Sequence, residues 1–286
     1  MSDSANIVLN GKLLKGKQAM ISPVNRGMMY GDGCFETLRS YSGKFLLWDR
    51  HFERLKGGLD YLGMDSHLNS VVWKNQMIEL LEANDLSHKE AMIRIQCWRE
   101  GGRGYTPDSS KVGWMIQASE IKSGNAPLKL MLAETRCIPS SALERKYKLS
   151  NGLNYILAAK EAAEQRVDDS VMLTINGSIS ETTSANIFWI KDDQVFSPAK
   201  ECDLLPGITR QIIIELIESK SNGFEFTEGI FQPEDIKKAE AVFCSNSLIE
   251  LREVASFADV SFGLNNPLIM KLKESFEQFK RQELKT

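Results

Sequence analysis

The sequence predicts an α/β chain of the α+β kind, folded as two domains. Three observations carry that expectation. Alternating apolar runs of strand length, and longer runs with apolar residues at helical spacing, occur in both halves. Turn dipeptides such as Asn10-Gly11 and Ser42-Gly43 stand between paired apolar segments. A polar stretch with Gly and Pro, IKSGNAP at 121–127, separates the halves as a linker. The expected organisation is a small N-terminal α/β domain at 1–120, that linker, and a larger C-terminal domain at 128–286. A chain of 286 residues is long enough to build two cores.

From the N-terminus, NIVLNGKLL reads as a hairpin about its Asn-Gly turn, and GDGCFETLRSYSGKFLLWD as two strands about Ser42-Gly43. WDRHFERLKGGLDYLGM places Phe52, Leu55, Leu59 and Leu62 at roughly helical spacing, and NSVVWKNQMIELLEAN is a second amphipathic helix. EAMIRIQCWRE and KVGWMIQASEI are expected to pair as strands across the glycine-rich loop GGRGYTPDSS. Beyond the linker come a strand in LKLMLAETR, a helix in LNYILAAKEAAEQR, and short strands in VMLTI, SISETTSANIFWI and QVFSPA. LPGITRQIIIELIE opens a helix behind Pro206 and Gly207. FEFTEGIFQPEDIKKAE is a strand–helix unit, AVFCSNSLIELREV a strand interrupted by small polar residues, and KLKESFEQFKRQELKT a helix with a solvated face.

Composition narrows the function classes. A net charge of −3 gives no electrostatic case for nucleic acid or an anionic membrane. Five scattered cysteines without a CxxC pair point away from a disulfide framework or zinc site and towards a reducing, cytoplasmic setting. No secretory signal is visible, and no apolar run approaches the ~20 residues that span a bilayer. His51, His67 and His88 are too dispersed for a paired metal motif or a histidine-based triad, so no metal is expected.

The chemistry-bearing candidates are each ambiguous alone. Glu181 sits inside GSISETTSANIFW, between apolar strands, where it either caps a turn or is held to meet a positive charge. Lys148, in ERKYKLSNGLNYILAAKEA, is either a surface cation at a helix start or a Schiff-base lysine. Arg54 in HFERL is an exposed cation or an anion ligand. In LPGITR, Gly207 permits close backbone approach and Thr209 adds a hydroxyl at a helix start, where free N–H groups attract anions. Ser245 and Asn246 in SNS offer further donors or simply form a turn. Pyridoxal 5′-phosphate (PLP) asks for a lysine, an acid for its pyridine nitrogen and a phosphate cup. Lys148, Glu181 and the set Arg54, Thr209 and Ser245 supply all three.

In order and wording these segments resemble the fold-type IV PLP enzymes, the class IV aminotransferase family. The resemblance spans nearly the whole chain and rests on YGDGCFETLR, HFERL, KLSNGLNYILAAKEA, SISETTSANIFWI, LLPGITRQ and AVFCSNSL. It implies a two-domain fold with PLP in the cleft, an active site completed by a partner subunit, and a homodimer. It carries the cofactor lysine to Lys148, with Asn151 and Leu157-Ala158 at the family spacing, rather than to Lys146 or Lys160. It carries the pyridine partner to Glu181 and further cofactor contacts to Arg54, Asn151, Gly207, Ile208, Thr209, Ser245 and Asn246. Tyr30 and Phe35 match substrate-pocket positions. Arg103, between glycines in REGGRGYTP, is the cation expected for a substrate carboxylate, with a solvent-exposed loop cation as the other reading. The tyrosine that directly follows the asparagine in branched-chain enzymes is replaced by Gly152, so its role is not carried to Tyr155. The implied activity is transfer of an amino group from an amino acid to a 2-oxo acid. FETLR and LLPGITR favour that reading, while GGRGY and SNSL favour the alternative, aminodeoxychorismate lyase, which yields 4-aminobenzoate and pyruvate.

Overall fold

The computed structural model describes residues 5–65, 67–121, 124–219 and 225–285. They form two compact units. One comprises the described residues before Gly124 together with Tyr147–Asn151; the other comprises Gly124–Lys146 and Gly152–Lys285. Lys122 and Ser123, inside the expected linker, lie outside the described residues.

The first unit runs β1 (Asn6–Leu9), β2 (Lys12–Lys15), α1 (Arg26–Tyr30), β3 (Gly33–Tyr41), β4 (Lys44–Phe45), α2 (Trp48–Tyr61), α3 (Ser70–Ala83), β5 (Glu90–Arg99) and β6 (Val112–Glu120). Its strands form one sheet in the order β2-β1-β6-β5-β3-β4, all neighbours antiparallel. The two expected tight hairpins are present: Asn10 and Gly11 have φ 48° and 82°, Ser42 and Gly43 φ 50° and 83°. Two successive positive φ values match the right-handed strand twist.

Strict alternation gives this sheet two different faces. Cys34, Glu36, Leu38 and Ser40 of β3, and Ala91, Ile93, Ile95 and Cys97 of β5, are buried. Leu55 and Leu59 of α2, and Trp73, Met77, Leu80 and Leu81 of α3, are also buried. Burying each such aliphatic side chain contributes about 1.5–3 kcal/mol before entropy is counted. The opposite sheet face, with Phe35, Thr37, Met92, Arg94 and Gln96, stays half-buried.

Glu36 is the exception in the buried row. Burial pushes its carboxyl pKa up, but the Arg54 guanidinium and a hydrogen bond from His51 outweigh that and hold it down at about 2. Arg54 donates through Nε and Nη2 at 2.6 and 2.9 Å, and His51 Nδ1 lies 2.9 Å from the second oxygen. A buried carboxylate is tolerated only with such partners. The bonds tie β3 to α2.

The second unit runs β7 (Leu128–Leu132), α4 (Leu153–Glu164), β8 (Asp169–Leu173), β9 (Ile179–Thr182), β10 (Asn186–Lys191), β11 (Gln194–Pro198), α5 (Ile208–Glu218), β12 (Glu225–Gly229), α6 (Pro233–Lys237), β13 (Ala241–Asn246), β14 (Glu250–Phe257), β15 (Val260–Ser261) and α7 (Pro267–Glu283). Its sheet has the order β12-β11-β10-β13-β14-β7-β8-β9, with β15 added to β14. The core includes Leu130, Val171, Ile187, Trp189, Val242, Cys244, Val254 and Phe257.

Two expectations are corrected. SISETTSANIFWI is two strands, because Thr182 and Ala185 close a turn: Thr182 N and Oγ1 donate to Ala185 O at 2.8 and 3.1 Å, and Ala185 N donates to Thr182 Oγ1 at 2.9 Å. AVFCSNSLIELREV is a hairpin of β13 and β14. Asn246 Oδ1 accepts from Leu248 N and Ile249 N at 2.8 and 2.9 Å, and Glu250 adopts φ 56°. No helix among the described residues is long and apolar enough to cross a membrane.

Because Glu36 titrates at about 2 in the fold against an ordinary 4.5, its stabilisation is present above 4.5 and is lost as pH falls towards 2. Denaturant midpoints taken from neutral to acid pH should show that loss in the wild type. In Glu36→Gln part of that pH dependence should vanish, with stability at neutral pH lower by about 3–5 kcal/mol because a buried ion pair loses its carboxylate.

Candidate functional site

In the first unit the lysine segment is attached to β3 by backbone pairing. Phe35 N donates to Lys148 O, and Ser150 N to Gly33 O, each at 2.9 Å, with Cys34 and Leu149 as antiparallel partners. Glycine is required at 33, since a Cβ there would lie 2.2 Å from Cys97 O. Pairing beside β3 places Lys148 at the half-buried sheet face. Its Nζ lies 4.7 Å from the centre of the Phe35 ring. Lys146 and Lys160 are instead solvent-facing, with side chains 57% and 71% exposed and Glu144 and Glu164 within 3.8 and 3.6 Å.

The same face carries a cation that sequence reasoning did not select. The Arg94 guanidinium carbon lies 3.9 Å from the Phe35 ring centre, and Nη2 donates to Gln96 Oε1 at 3.2 Å. Gln96 Nε2 donates in turn to Ser150 Oγ at 2.8 Å, joining Arg94 to the lysine segment. Burial lowers the Arg94 pKa from its ordinary value. Its place opposite Thr37 in the β3–β5 register is the signal that could have found it. Asn151 is exposed and approaches Tyr30 O at 3.5 Å through Nδ2. The Tyr30 hydroxyl accepts from Gly104 N at 2.9 Å, and Arg103, the next residue back, is exposed. Arg54 lies on α2 with part of its guanidinium on Glu36.

In the second unit Glu181, on β9, is 5% exposed and accepts from Tyr155, Arg145, Leu205 and Asn186. Tyr155 Oη donates at 2.7 Å and Arg145 Nη2 at 3.4 Å to Oε1; Leu205 N at 3.1 Å and Asn186 Nδ2 at 3.2 Å donate to Oε2. Glu181 therefore does meet a positive charge, Arg145, within a buried hydrogen-bond set. These four donors were not selected from the sequence. Arg145 and Tyr155 come from the two sides of the Lys148 segment, and only the fold returns them to β9.

Asn186 links Glu181 to the start of α5. Its Nδ2 also donates to Leu205 O at 2.9 Å, and a Cβ on Gly207 would lie 2.2 Å from its Oδ1, so a larger residue there would displace the Asn186 side chain. Gly207 is the N-cap of α5 and supplies no side-chain cap to the first-turn N–H groups, where Ile208 and Thr209 stand. Uncapped donors of this kind attract an anion. Ser245 pairs directly with Asn186 across β10 and β13; its side chain is fully buried and its Oγ has no hydrogen-bond partner among the described residues. Asn246 is engaged otherwise: Nδ2 donates to Ser184 O at 3.0 Å and Oδ1 serves the β13–β14 turn. The structure thus gathers Glu181, Gly207 and Ser245 around Asn186, with Ile208 and Thr209 following Gly207 in the first turn of α5, while Lys148, Phe35, Tyr30, Arg54 and Arg103 belong to the first unit.

Comparison with known proteins places the chain in a family. The chain is 28% identical to the aminodeoxychorismate lyase of Bacillus subtilis over 268 residues, covering 90% of this chain and 88% of that protein. It is 29% identical to a putative branched-chain-amino-acid aminotransferase of Methanocaldococcus jannaschii over 282 residues, covering 96% of each. The structure superposes on the branched-chain amino acid aminotransferase of Escherichia coli with a TM-score of 0.89 at 23% identity, over 98% of this chain and 96% of that one. That likeness establishes the fold-type IV architecture. The model of the family Amino-transferase class IV matches residues 33–257, from the first residue of β3 to the last of β14. The chain therefore belongs to the class IV aminotransferase family, whose cofactor is pyridoxal 5′-phosphate.

Proposed function

We propose that the chain is a PLP-dependent aminotransferase acting on an amino acid and a 2-oxo acid. The observation that carries the reading is the placement of Lys148, a half-buried amine on a pairing-fixed backbone, with Nζ 4.7 Å from the Phe35 ring centre. The donor set fits the cofactor. The fully buried, unpartnered Ser245 Oγ and the uncapped start of α5 suit a phosphate, and the buried Glu181 carboxylate suits a protonated pyridine nitrogen.

When bound, PLP supplies an electron sink for the pair left at the substrate Cα. Lys148 Nζ would hold the cofactor, and as an amine it would take the proton from the substrate Cα. Glu181 would keep the pyridine nitrogen protonated, and the bonds from Arg145, Tyr155, Asn186 and Leu205 hold the carboxylate in one orientation. Ile208 and Thr209 N–H groups and the Thr209 and Ser245 hydroxyls would hold the phosphate, and Arg54 would supply a cation for it. Asn151 and Asn246 remain further cofactor contacts, with Asn246 contributing through its backbone since its side chain is engaged. Tyr30 and Phe35 line the substrate, and Arg94 and Arg103 supply cations for its carboxylate. The enzyme works as a homodimer in the cytoplasm.

A second reading, aminodeoxychorismate lyase, is favoured by the GGRGY loop and by the B. subtilis relative. Single-turnover spectra of the PLP-loaded protein with L-glutamate, L-leucine, D-alanine and aminodeoxychorismate separate the two. Conversion of the cofactor to its amino form by an amino acid, with release of an oxo acid, supports transamination. Release of 4-aminobenzoate and pyruvate with the cofactor returned unchanged makes it a lyase.

Lys148→Ala should lose the absorbance of lysine-bound cofactor and cut turnover by on the order of 10²–10⁴-fold or more. Normal turnover there would mean that another amine does the work. Glu181→Gln should keep PLP but slow Cα deprotonation strongly, measured as the primary step with deuterated amino acid; an unchanged rate removes its assigned role.

A further inference from the structure

The loop that carries Arg103 is held by an arginine with no role in the mechanism above. Arg26, at the start of α1, is 3% exposed. Its Nη1 donates to Gly102 O and to Gly104 O, both at 2.8 Å. The two carbonyls flank Arg103, so the two hydrogens on one nitrogen fix the backbone on either side of it. Arg26 Nε donates to Asp32 Oδ2 at 2.8 Å, and the same oxygen accepts from Arg99 Nε at 3.0 Å. Arg99 Nη1 reaches Ser109 O at 3.1 Å, at the far end of the loop. One carboxylate thus orients two buried arginines, one for each end of the loop.

Other contacts serve the same loop. The Tyr30 hydroxyl accepts from Gly104 N at 2.9 Å, and the Arg26 guanidinium carbon lies 4.9 Å from the Tyr30 ring centre. Gly101 and Gly104 adopt φ 137° and 100°, a backbone that side-chain-bearing residues rarely take. Arg103 itself is exposed and has no ion-pair partner among the described residues. A glycine-rich loop has high conformational entropy when free. Here that freedom is removed by charge-assisted bonds that end on the backbone and leave the Arg103 side chain uncommitted.

We propose that Arg26 is a positioning residue that clamps this loop so that Arg103 is presented, already ordered, to the substrate carboxylate. Its guanidinium acts on the loop and not on the substrate. Pre-ordering raises affinity by removing an ordering cost from binding. This inference rests on the assignment of Arg103 under the proposed function.

The test uses the PLP-loaded full chain and two readouts. Trypsin cleaves after arginine, so nicking between Arg103 and Gly104, followed by intact mass, reports loop opening. Steady-state kinetics with the amino acid found active report KM and kcat. Arg26→Met should be nicked at Arg103 about tenfold faster or more, with KM raised about tenfold and kcat little changed, as expected for losing charge-assisted bonds. Arg103→Gln should raise KM similarly, and the double variant should show no further rise, the signature of two residues acting as one unit. Arg26→Lys, which keeps one charged nitrogen for the carbonyls but loses the separate Nε bond to Asp32, should lie between; it carries the test if Arg26→Met does not fold. Unchanged nicking, or faster nicking with wild-type KM, in the folded Arg26 variant overturns the clamp. If Arg103→Gln alone leaves KM unchanged, the Arg103 assignment fails and the substrate role of the clamp with it. A clamp failure with raised KM in Arg103→Gln leaves the proposed function standing.

Discussion

Two backbone hydrogen bonds, from Phe35 N to Lys148 O and from Ser150 N to Gly33 O, hold the candidate lysine in place. A segment distant in sequence is held beside β3 by one antiparallel bridge, and it counts with the first unit although the chain on both sides of it belongs to the second. Pairing of this kind fixes side-chain direction as well as position, because a one-residue slip would turn Lys148 to the other face. The close approach of β3 to β5 at Gly33 sets where the capture occurs. Phe35, Arg94 and Gln96 then meet the lysine segment on the face left open by strand alternation.

Buried carboxylates are treated alike in both units, and the treatment is instructive. Glu36 takes two bonds from Arg54 and one from His51; Glu181 takes four from Arg145, Tyr155, Asn186 and Leu205. In each case an inward-facing carboxylate costs more to desolvate than any single contact returns, so it is met by several donors at once. Glu36 thereby orients Arg54, and Glu181 joins β9 to the start of α5. Each carboxylate shapes a neighbour that the proposed chemistry uses.

Much of this was legible in the chain. The Asn10-Gly11 and Ser42-Gly43 hairpins follow from residues that accept positive φ, and the helices over 48–61 and 70–83 from apolar spacing. Glu36 also left a trace: it falls in phase with Cys34 and Leu38, and a carboxylate in an inward row demands cationic partners. The two misread strands failed for a common reason. Thr182 and Asn246 each spend side-chain oxygens on neighbouring backbone, a local bond that ends a strand where apolar residues alone would extend it.

By itself, the sequence determined the family, the α+β class, the order of the elements and the identity of Lys148 and Glu181 as candidates, because those depend on local spacing and on motifs contiguous in the chain. The tertiary structure decided which partners those residues have. Arg145, Tyr155 and Leu205 lie 36, 26 and 24 residues from Glu181, Arg94 lies far from Lys148, and Arg26 lies 76 residues from the first loop carbonyl it holds. No periodicity reaches across such separations. Strand pairing and burial bring these groups together, and the cost of leaving a buried charge or donor unpaired selects which of them meet.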